Sequence, residues 1–182
     1  MPNKVKFGLS NLHYAVGTTA ADGSMTYATP VRIPGAVNMT MDPQGDTTPF
    51  YADDIVYFTS TANNGYQGTL EVALLPDDFK KDVLGEEEST DGVFIEKAGV
   101  TAKEIALLFE FDGDVNAIRH AFFRVACGRP SVTGSTKQAN IEPQTETLNI
   151  TAMPRINDHV VKARCPHGST AYANWYAAVY TV

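Results

Sequence analysis

Apolar and polar residues alternate with a period of two along much of this chain. In residues 31–41, apolar side chains occupy every odd position except that of Gly35. Such alternation is typical of a β-strand with one buried face. Pro34 interrupts or edges this strand, because proline cannot donate to a sheet. The same period, with one break, predicts a strand near the N-terminus. Its apolar positions are Val5, Phe7, Leu9, Leu12, Tyr14 and Val16.

Three hairpins are predicted further along the chain. Asn64 and Gly65 form the pair preferred in a two-residue type I′ turn, which needs positive φ at both positions. That turn would place Ile55 opposite Leu74, Tyr57 opposite Val72 and Thr59 opposite Leu70. The other predicted strand pairs are 105–111 with 118–127, and 145–152 with 158–165. The C-terminal NWYAAVYTV also alternates and predicts a last strand.

One short helix is predicted in LPDDFKKDVLG. Pro76 suits a first helical turn, and two aspartates follow it at the positive end of the helix dipole. Phe79 and Val83 share a face, and Gly85 fits the C′ position. Many strands and one helix predict a mainly β fold, an antiparallel β-sandwich or barrel with one short flanking helix. We expect a single domain, 1–182, with long polar loops near 17–30, 42–54 and 128–144.

Composition excludes several classes of protein. The chain has 182 residues, 43% of them apolar and 19% charged, so global disorder is not expected. Its net charge is −7 and its 14 lysines and arginines are scattered, unlike the basic face of a nucleic-acid-binding protein. An acidic chain can still surround DNA without holding it. We expect no export signal and no membrane span, because no apolar run is long enough for either.

The stretch ALLFEFDGDVNAIRHAFFRV gathers most of the residues that could carry chemistry. The favoured interpretation is a hairpin, with Asp112 and Asp114 in its turn and Glu110 paired with Arg119 across the strands. Two alternatives stay open. DGDVN offers oxygen ligands for calcium, although the closing Glu of a calcium loop is missing. An acid–base site would need a pocket that joins His120 to a carboxylate.

Other candidate sites are weaker. The histidines are dispersed and lack zinc-ligand spacing. Cys127 and Cys165 predict two buried thiols in a reducing compartment, with a bridge between them as the alternative. Asp53 and Asp54 predict a strand-entry turn, or else a polar contact with a neighbouring subunit. No nucleophile elbow or phosphate loop is present, so we predict no catalytic, cofactor or metal residue and no enzyme. The four histidines are His13, His120, His159 and His167.

Several stretches together resemble the major tail protein family of long-tailed phages of Gram-positive bacteria. They run in order from about residue 5 to residue 155, and the last residues carry less of the resemblance. They are VKFGLSNLHYAV, YADDIVYF, NGYQGTLEVALLPDDFKKDVLG, ALLFEFDGDVNAIRHAFFRVACGRP and PQTETLNITAMPR.

The resemblance implies a structural virion protein that forms hexameric rings stacked into a tail tube. Its implied partners are copies of itself, a tape-measure protein, a tail terminator and distal tail proteins. DNA would pass through the lumen without specific binding and reach the host. The implied location is the phage tail, with assembly in the host cytoplasm. The alternative is a β-sandwich module that binds a receptor or carbohydrate, with Trp175, Tyr172 and Tyr176 stacking on sugars rather than packing on the core.

Three hypotheses follow from the tube. Strands pair across subunits and so complete an inner barrel, which removes open sheet edges. The lumen is net acidic, with Glu71 and Glu110 as candidate lining residues. The loop 128–144, or the segment 17–30, reaches the neighbouring ring.

Overall fold

The computed structural model describes residues 3–113, 115–136 and 143–181. These residues form antiparallel β-sheets with one short helix, which confirms the predicted fold class. The strands are β1 (Lys6–Thr19), β2 (Met25–Tyr27), β3 (Val31–Arg32), β4 (Ala36–Gln44), β5 (Thr47–Ala52), β6 (Ile55–Thr61), β7 (Gly65–Val72), β8 (Glu87–Glu88), β9 (Phe94–Ile95), β10 (Ile105–Gly113), β11 (Ile118–Cys127), β12 (Glu146–Ala152) and β13 (Lys162–Cys165).

Nine strands of the described chain build one sheet, in the order β2-β1-β10-β11-β12-β7-β4, with β3 on β1 and β13 on β11. Strand β1 also contacts β4, so the two ends of the sheet approach one another. Strands β5 and β6 form a separate two-stranded sheet, and so do β8 and β9. The main sheet therefore curls around a core, as a sandwich or barrel does.

Apolar side chains form two buried clusters, one on each face of strands β10 and β11. The larger cluster lies inside the curl and takes side chains from all the long strands of the main sheet. The smaller one lies between the sheet and the C-terminal tail, where Trp175 and Val179 cover Phe123 and Ala15. Strands β10 and β11 are therefore buried on both faces, which accounts for their nearly continuous apolar sequence.

The predicted helix is present. It comprises α1 (Asp77–Phe79) and a π-helical turn over Lys80–Leu84 that continues it. Gly85 ends it in the left-handed region at φ 76°, as its C′ position requires. Phe79 and Val83 are fully buried in the larger core cluster. The short helix is therefore stabilised by packing on the sheet.

The hairpin that we predicted around Asn64 and Gly65 is wrong. Strand β6 pairs with β5 rather than β7, and β7 pairs with β4 and β12. The two-residue turn is Asp53-Asp54, whose φ angles are 51° and 60°, as a type I′ turn requires. A glycine is needed at position 65 because of a close backbone contact and not because of a turn. A Cβ there would lie 2.0 Å from the carbonyl oxygen of Ala152, on the neighbouring strand.

Two C-terminal predictions are also wrong. Strand β12 does not pair with β13, because β12 lies between β11 and β7 while β13 pairs with the first half of β11. The tail NWYAAVYTV forms turns instead of a strand. Trp175 and Val179 join the smaller core cluster, whereas Ala177 between them is exposed, so burial in this stretch does not follow the alternation.

The predicted pairing of β10 with β11 is confirmed, with two local corrections. A register shift near Val125 places this residue in the same core cluster as Phe122, not with Phe123 as the simple alternation predicted. Asp112 lies at the end of β10 opposite Phe7 rather than in the turn. Asp114, also predicted in the turn, lies outside the described residues.

The predicted loops are only partly irregular. Residues 17–30 include the end of β1 and all of β2, and residues 42–54 hold the end of β4, all of β5 and the Asp53-Asp54 turn. The prediction of a loop at 42–54 is therefore wrong. In 128–144, Gly128 and Ser131 donate backbone hydrogen bonds to β12, and residues 137–142 lie outside the described chain. Pro34 separates β3 from β4, as predicted.

Candidate functional site

The β5–β6 hairpin displays its apolar side chains to solvent. None of its residues belongs to either described core cluster. Phe50 and Phe58 lie opposite each other across the two strands, and they are 61% and 62% exposed. A two-stranded hairpin is marginally stable in water when it stands alone. The large apolar side chains that are more than half exposed are Phe50, Tyr51, Ile55, Val56, Tyr57 and Phe58.

The charges of this hairpin sit at its tip. Residues 47–61 contain no lysine or arginine, and their only carboxylates are those of Asp53 and Asp54 in the turn. Both are exposed. The predicted turn at these residues is therefore confirmed as the turn that enters β6, and the pair stands at the end of an exposed apolar arm.

A second notable surface lies on the outer face of β4, β7 and β12. Residues directly opposite each other in a sheet share a face. The registers therefore align three rows across the three strands, and we call these nine residues the polar array. The rows are Asn38–Glu71–Thr147, Thr40–Thr69–Asn149 and Asp42–Gln67–Thr151.

The polar array is open to solvent, and its back is the core. All nine side chains are exposed or half-buried. The alternate residues of the same strands, such as Leu70, Leu148 and Met39, pack in the larger cluster. Glu71 accepts a hydrogen bond of 2.5 Å from the hydroxyl of Thr145. This candidate lumen residue therefore lies on an open polar face.

Glu110 has a different position. It is 7% exposed, and its carboxylate accepts hydrogen bonds from Asn11 Nδ2, from Arg119 Nε at 3.1 Å and from the Tyr176 hydroxyl at 3.3 Å. Ser10 adds a longer contact of 3.4 Å. The predicted pairing of Glu110 with Arg119 is confirmed. Because it is enclosed in this network, Glu110 does not lie on an open surface.

The same network fixes the C-terminal tail on the sheet. Arg119 stacks on Tyr172, 3.9 Å from the ring centroid, and donates to the Tyr172 carbonyl. His13 stacks on Tyr176 at 4.4 Å between centroids. Burial and the Glu110 carboxylate raise the pKa of Tyr176, so the phenol stays protonated and able to donate. These residues hold the tail against β1, β10 and β11.

His120 lacks the surroundings of an acid–base catalyst. Its ring stacks on Phe109 at 5.4 Å and meets Phe111 edge-on at 5.4 Å. The pKa of His120 is lowered to about 4, first by burial and then by the nearby cations Arg164, Lys6 and Lys162. The charges that act on this imidazole are cationic, whereas a catalytic dyad would supply a carboxylate.

The described residues form neither a metal site nor a reactive thiol site. No group of three or more His, Cys, Asp and Glu residues is placed to hold a metal ion there. Cys127 and Cys165 are both buried and unbridged, and burial raises the pKa of the Cys127 thiol to about 12. Within the same part of the chain, no helix has both the length and the apolar character needed to span a membrane.

The C-terminal aromatics are packed rather than presented to a ligand. Trp175 is 3% exposed, and its indole nitrogen donates to the His120 carbonyl at 3.4 Å. Tyr172 and Tyr176 are engaged by Arg119. These three rings therefore do not form a platform for stacking on a sugar.

This mainly β chain displays an apolar arm, and its main charged cluster is buried in a packing network. These are features of a structural assembly protein. A family model described as phage tail tube protein matches residues 2–110, more than half of the sequence, and the chain belongs to this family. Its role is therefore structural, in the tail tube of a virion. A search of curated proteins finds no match.

The matched region contains the first three stretches that carried the resemblance to phage major tail proteins. It ends near the start of the fourth, at Glu110. It includes the whole β5–β6 hairpin, two strands of the polar array and the helix. Strands β11, β12 and β13 and the C-terminal tail complete the same sheet and core from outside the matched region.

Proposed function

We propose that copies of this chain form hexameric rings that stack into the tail tube, through which DNA leaves the capsid and enters the host. The observation that carries the self-assembly is the exposed apolar β5–β6 hairpin. The chain belongs to the tail tube family, and a tube is built by repeated contacts between identical subunits.

The energetics of the hairpin favour a partner. Fully burying one large apolar side chain is worth roughly 1.5–3 kcal/mol, and the hairpin leaves six of them more than half exposed. Exposed apolar patches of this kind mark interaction surfaces in soluble proteins. A neighbouring copy is the partner that a homopolymeric tube supplies in every ring. The hairpin is therefore the proposed arm between subunits.

Open sheet edges support the same proposal. Strand β4 ends the hydrogen-bonded order of the main sheet in the described chain. An exposed edge strand offers unpaired backbone groups, which another chain can complete. We propose that β4 pairs with a strand of the next subunit, so that the sheets join around the ring as one inner barrel.

Contact between rings is assigned to the loop 128–144 or to the segment 17–30. In the first, Val132 is fully exposed and would be buried by contact with a neighbouring ring. In the second, the turn at residues 20–24 projects beyond the β1–β2 pair. Deleting residues 132–142 should leave a folded subunit that does not polymerise. Normal tubes from this variant would exclude the loop.

The remaining elements of the proposal concern partners and location. The tube would form in the host cytoplasm around a tape-measure protein and end against terminator and distal tail proteins. DNA would pass through without specific binding, and the chain would have no catalytic role. Of the two acidic candidates for the lumen, Glu71 stays in the proposal and Glu110 leaves it, because Glu110 is enclosed.

A double substitution in the hairpin tests the self-assembly. Phe50→Ser with Phe58→Ser removes two facing apolar side chains that belong to neither core cluster of the described chain. We expect the free energy of unfolding of the subunit to change by no more than about 0.5 kcal/mol. Rings and tubes of the wild-type protein, seen by negative-stain microscopy and light scattering, should be lost.

Val93→Ser is the matched control, because Val93 is 57% exposed but lies outside the hairpin. It should assemble as the wild-type chain does. Tubes formed by the double variant at the wild-type concentration would refute the hairpin as the assembly arm. A wild-type chain that stays monomeric at every concentration, even with its tail partners, would refute the tube itself.

A further inference from the structure

Three exposed cations come together on one face of the main sheet. Lys6 lies at the start of β1, and Lys162 and Arg164 lie on β13. In the β11–β13 register, Arg164 is directly opposite His120 and Lys162 is directly opposite Phe122. The charges of all three cations act on the His120 imidazole, so they surround a single side chain. We call Lys6, Lys162 and Arg164 the cationic patch.

Aromatic rings form the floor of the cationic patch. The Lys6 ammonium lies 4.8 Å from the centroid of the Phe111 ring, and the Lys162 ammonium lies 4.3 Å from that of Tyr66. Lys162 also donates a hydrogen bond of 2.6 Å to the Tyr66 hydroxyl. Such contacts hold an ammonium group in place but do not neutralise its charge. The patch therefore presents positioned cations above aromatic rings.

The cationic patch lacks a carboxylate partner within the described part of the subunit. Each of its three residues is exposed, and none of them forms an ion pair there. Lysine on an edge strand can serve merely to deter unwanted pairing, and β13 is an edge in the described chain. That explanation does not account for Lys6, which lies on another strand. The patch is therefore open to an acidic partner.

The tip of the β5–β6 hairpin carries the opposite charge. Asp53 and Asp54 are exposed, and neither forms an ion pair in the described residues. Behind them, the exposed aromatic side chains of Phe50, Tyr51 and Tyr57 line the two strands. Two carboxylates backed by aromatic rings are the chemical complement of cations that lie above aromatic rings.

We infer that the Asp53-Asp54 tip of one subunit docks on the cationic patch of another. The inference rests on the proposed function and adds to it the place where the hairpin binds. The tip and the patch are different surfaces, so the contact is heterologous, and each subunit donates one tip and accepts another. Such contacts propagate from copy to copy, as a polymer requires. Opposite local charges also steer the encounter of subunits that each carry a net charge of −7.

Charge reversal on each surface tests the docking. K162E with R164E makes the patch acidic. D53K with D54G makes the tip cationic, and glycine suits the positive φ of position 54. By light scattering and negative-stain microscopy, each variant alone should need a concentration about tenfold higher or more to form tubes.

An equimolar mixture of the two variants should assemble near the wild-type concentration. In the mixture, the cationic tip of one variant meets the acidic patch of the other. The acidic tip of the second variant meets the unchanged patch of the first. Rescue by mixing is expected only if the tip and the patch meet between different subunits.

Two controls separate docking from folding. R32E with K103E makes the same change of charge at exposed cations outside the patch, which form no ion pair in the described chain. It should assemble as the wild-type chain does. D53N with D54G has the residue pair preferred in a type I′ turn but no charge at the tip. It should still weaken assembly, which excludes a distorted turn as the cause.

Tubes formed by K162E/R164E at the wild-type concentration would overturn the inference. A mixture as defective as its two components would also overturn it, because the tip would then dock elsewhere or the patch would bind a different acidic partner. A wild-type chain that forms no tubes would overturn the proposed function itself, and the docking with it. A failed mixture overturns the docking alone, so the two failures are distinguishable.

Discussion

At the scale of single residues, Glu110 is the acceptor at the centre of the polar network that contacts the C-terminal tail. Glu110→Ala removes the acceptor of Asn11, Arg119 and Tyr176 and leaves the Arg119 guanidinium half-buried without its carboxylate. Breaking a buried ion pair by removing one partner is strongly destabilising. We expect a loss of about 3 kcal/mol in the free energy of unfolding, measured by chemical denaturation.

Tyr176→Phe is the matched control for that prediction. It removes one hydrogen bond to Glu110 and keeps the aromatic ring, so the expected loss is about 1 kcal/mol. If Glu110→Ala destabilises no more than this control, the network does not hold the tail.

Because of His120, we expect the stability of the folded chain to decline at acid pH. Burial is the main cause that lowers the pKa of His120 to about 4 in the folded chain, from the 6.5 of an unperturbed histidine. The unfolded chain therefore binds a proton more readily, and the folded state loses stability as the pH falls from 6.5 towards about 4. His13, whose pKa burial also lowers, acts in the same direction.

The contribution of His120 is measured by comparing how stability changes with pH in a His120 variant and in the wild-type chain. His120→Phe keeps an aromatic ring beside Phe109 and should flatten the decline in melting temperature over that pH range. His167→Phe, at an exposed turn, should retain the wild-type decline. An unchanged slope in His120→Phe would show that other groups cause the acid sensitivity.

At the scale of elements, local signals in the sequence were sufficient for the helix but not for the strand pairing. Pro76, Phe79, Val83 and Gly85 act within one short segment, and the helix ends where they indicate. The β10–β11 hairpin was also predictable, because its two strands adjoin in sequence and place Glu110 opposite Arg119.

The predicted pairing of β6 with β7 was wrong because two turns were possible, and only Asn64-Gly65 has the residue pair preferred in type I′ turns. Asn64-Gly65 is the stronger turn signal, yet Asp53-Asp54 forms the turn, with both aspartates at positive φ. Strand β7 is then free to insert between β4 and β12, and these pairings join strands that are distant in sequence. The polar array depends on those two registers, so it could not have been found from alternation alone.

Close contact between β4 and β7 explains a glycine that alternation leaves unexplained. A Cβ on Gly68 would lie 1.8 Å from the Thr40 carbonyl oxygen, which is backbone and cannot rotate away. Gly68→Ala should therefore displace β4 and lower the free energy of unfolding by about 3 kcal/mol or more. Gly134→Ala, where no atom lies within 4 Å, is the control and should be neutral. A melting temperature of Gly68→Ala equal to that of the control would show that β4 yields easily.

At the scale of the whole molecule, the fold divides into a closed part and an incomplete part. The closed part is the curled sheet with its two core clusters, and the C-terminal tail seals the second of these through Trp175 and Val179. The incomplete part is the β5–β6 hairpin, together with the open edge of β4. Stability of the subunit therefore resides in one region, and the capacity for association resides in another.

This division predicts how hydrogen exchange changes on assembly. In the part of the chain that the structure describes, β5 and β6 pair only with each other and contribute to neither core cluster, so their amides should exchange quickly in the free subunit. Amides of β10 and β11, buried on both faces, should exchange only on global unfolding. In tubes, the hairpin amides should become protected by about a hundredfold or more, because opening them would also break contacts with the neighbour. Protection of β5–β6 that is equally strong in the monomer would mean that the hairpin is stable by itself, and its exposed apolar residues would then need another explanation.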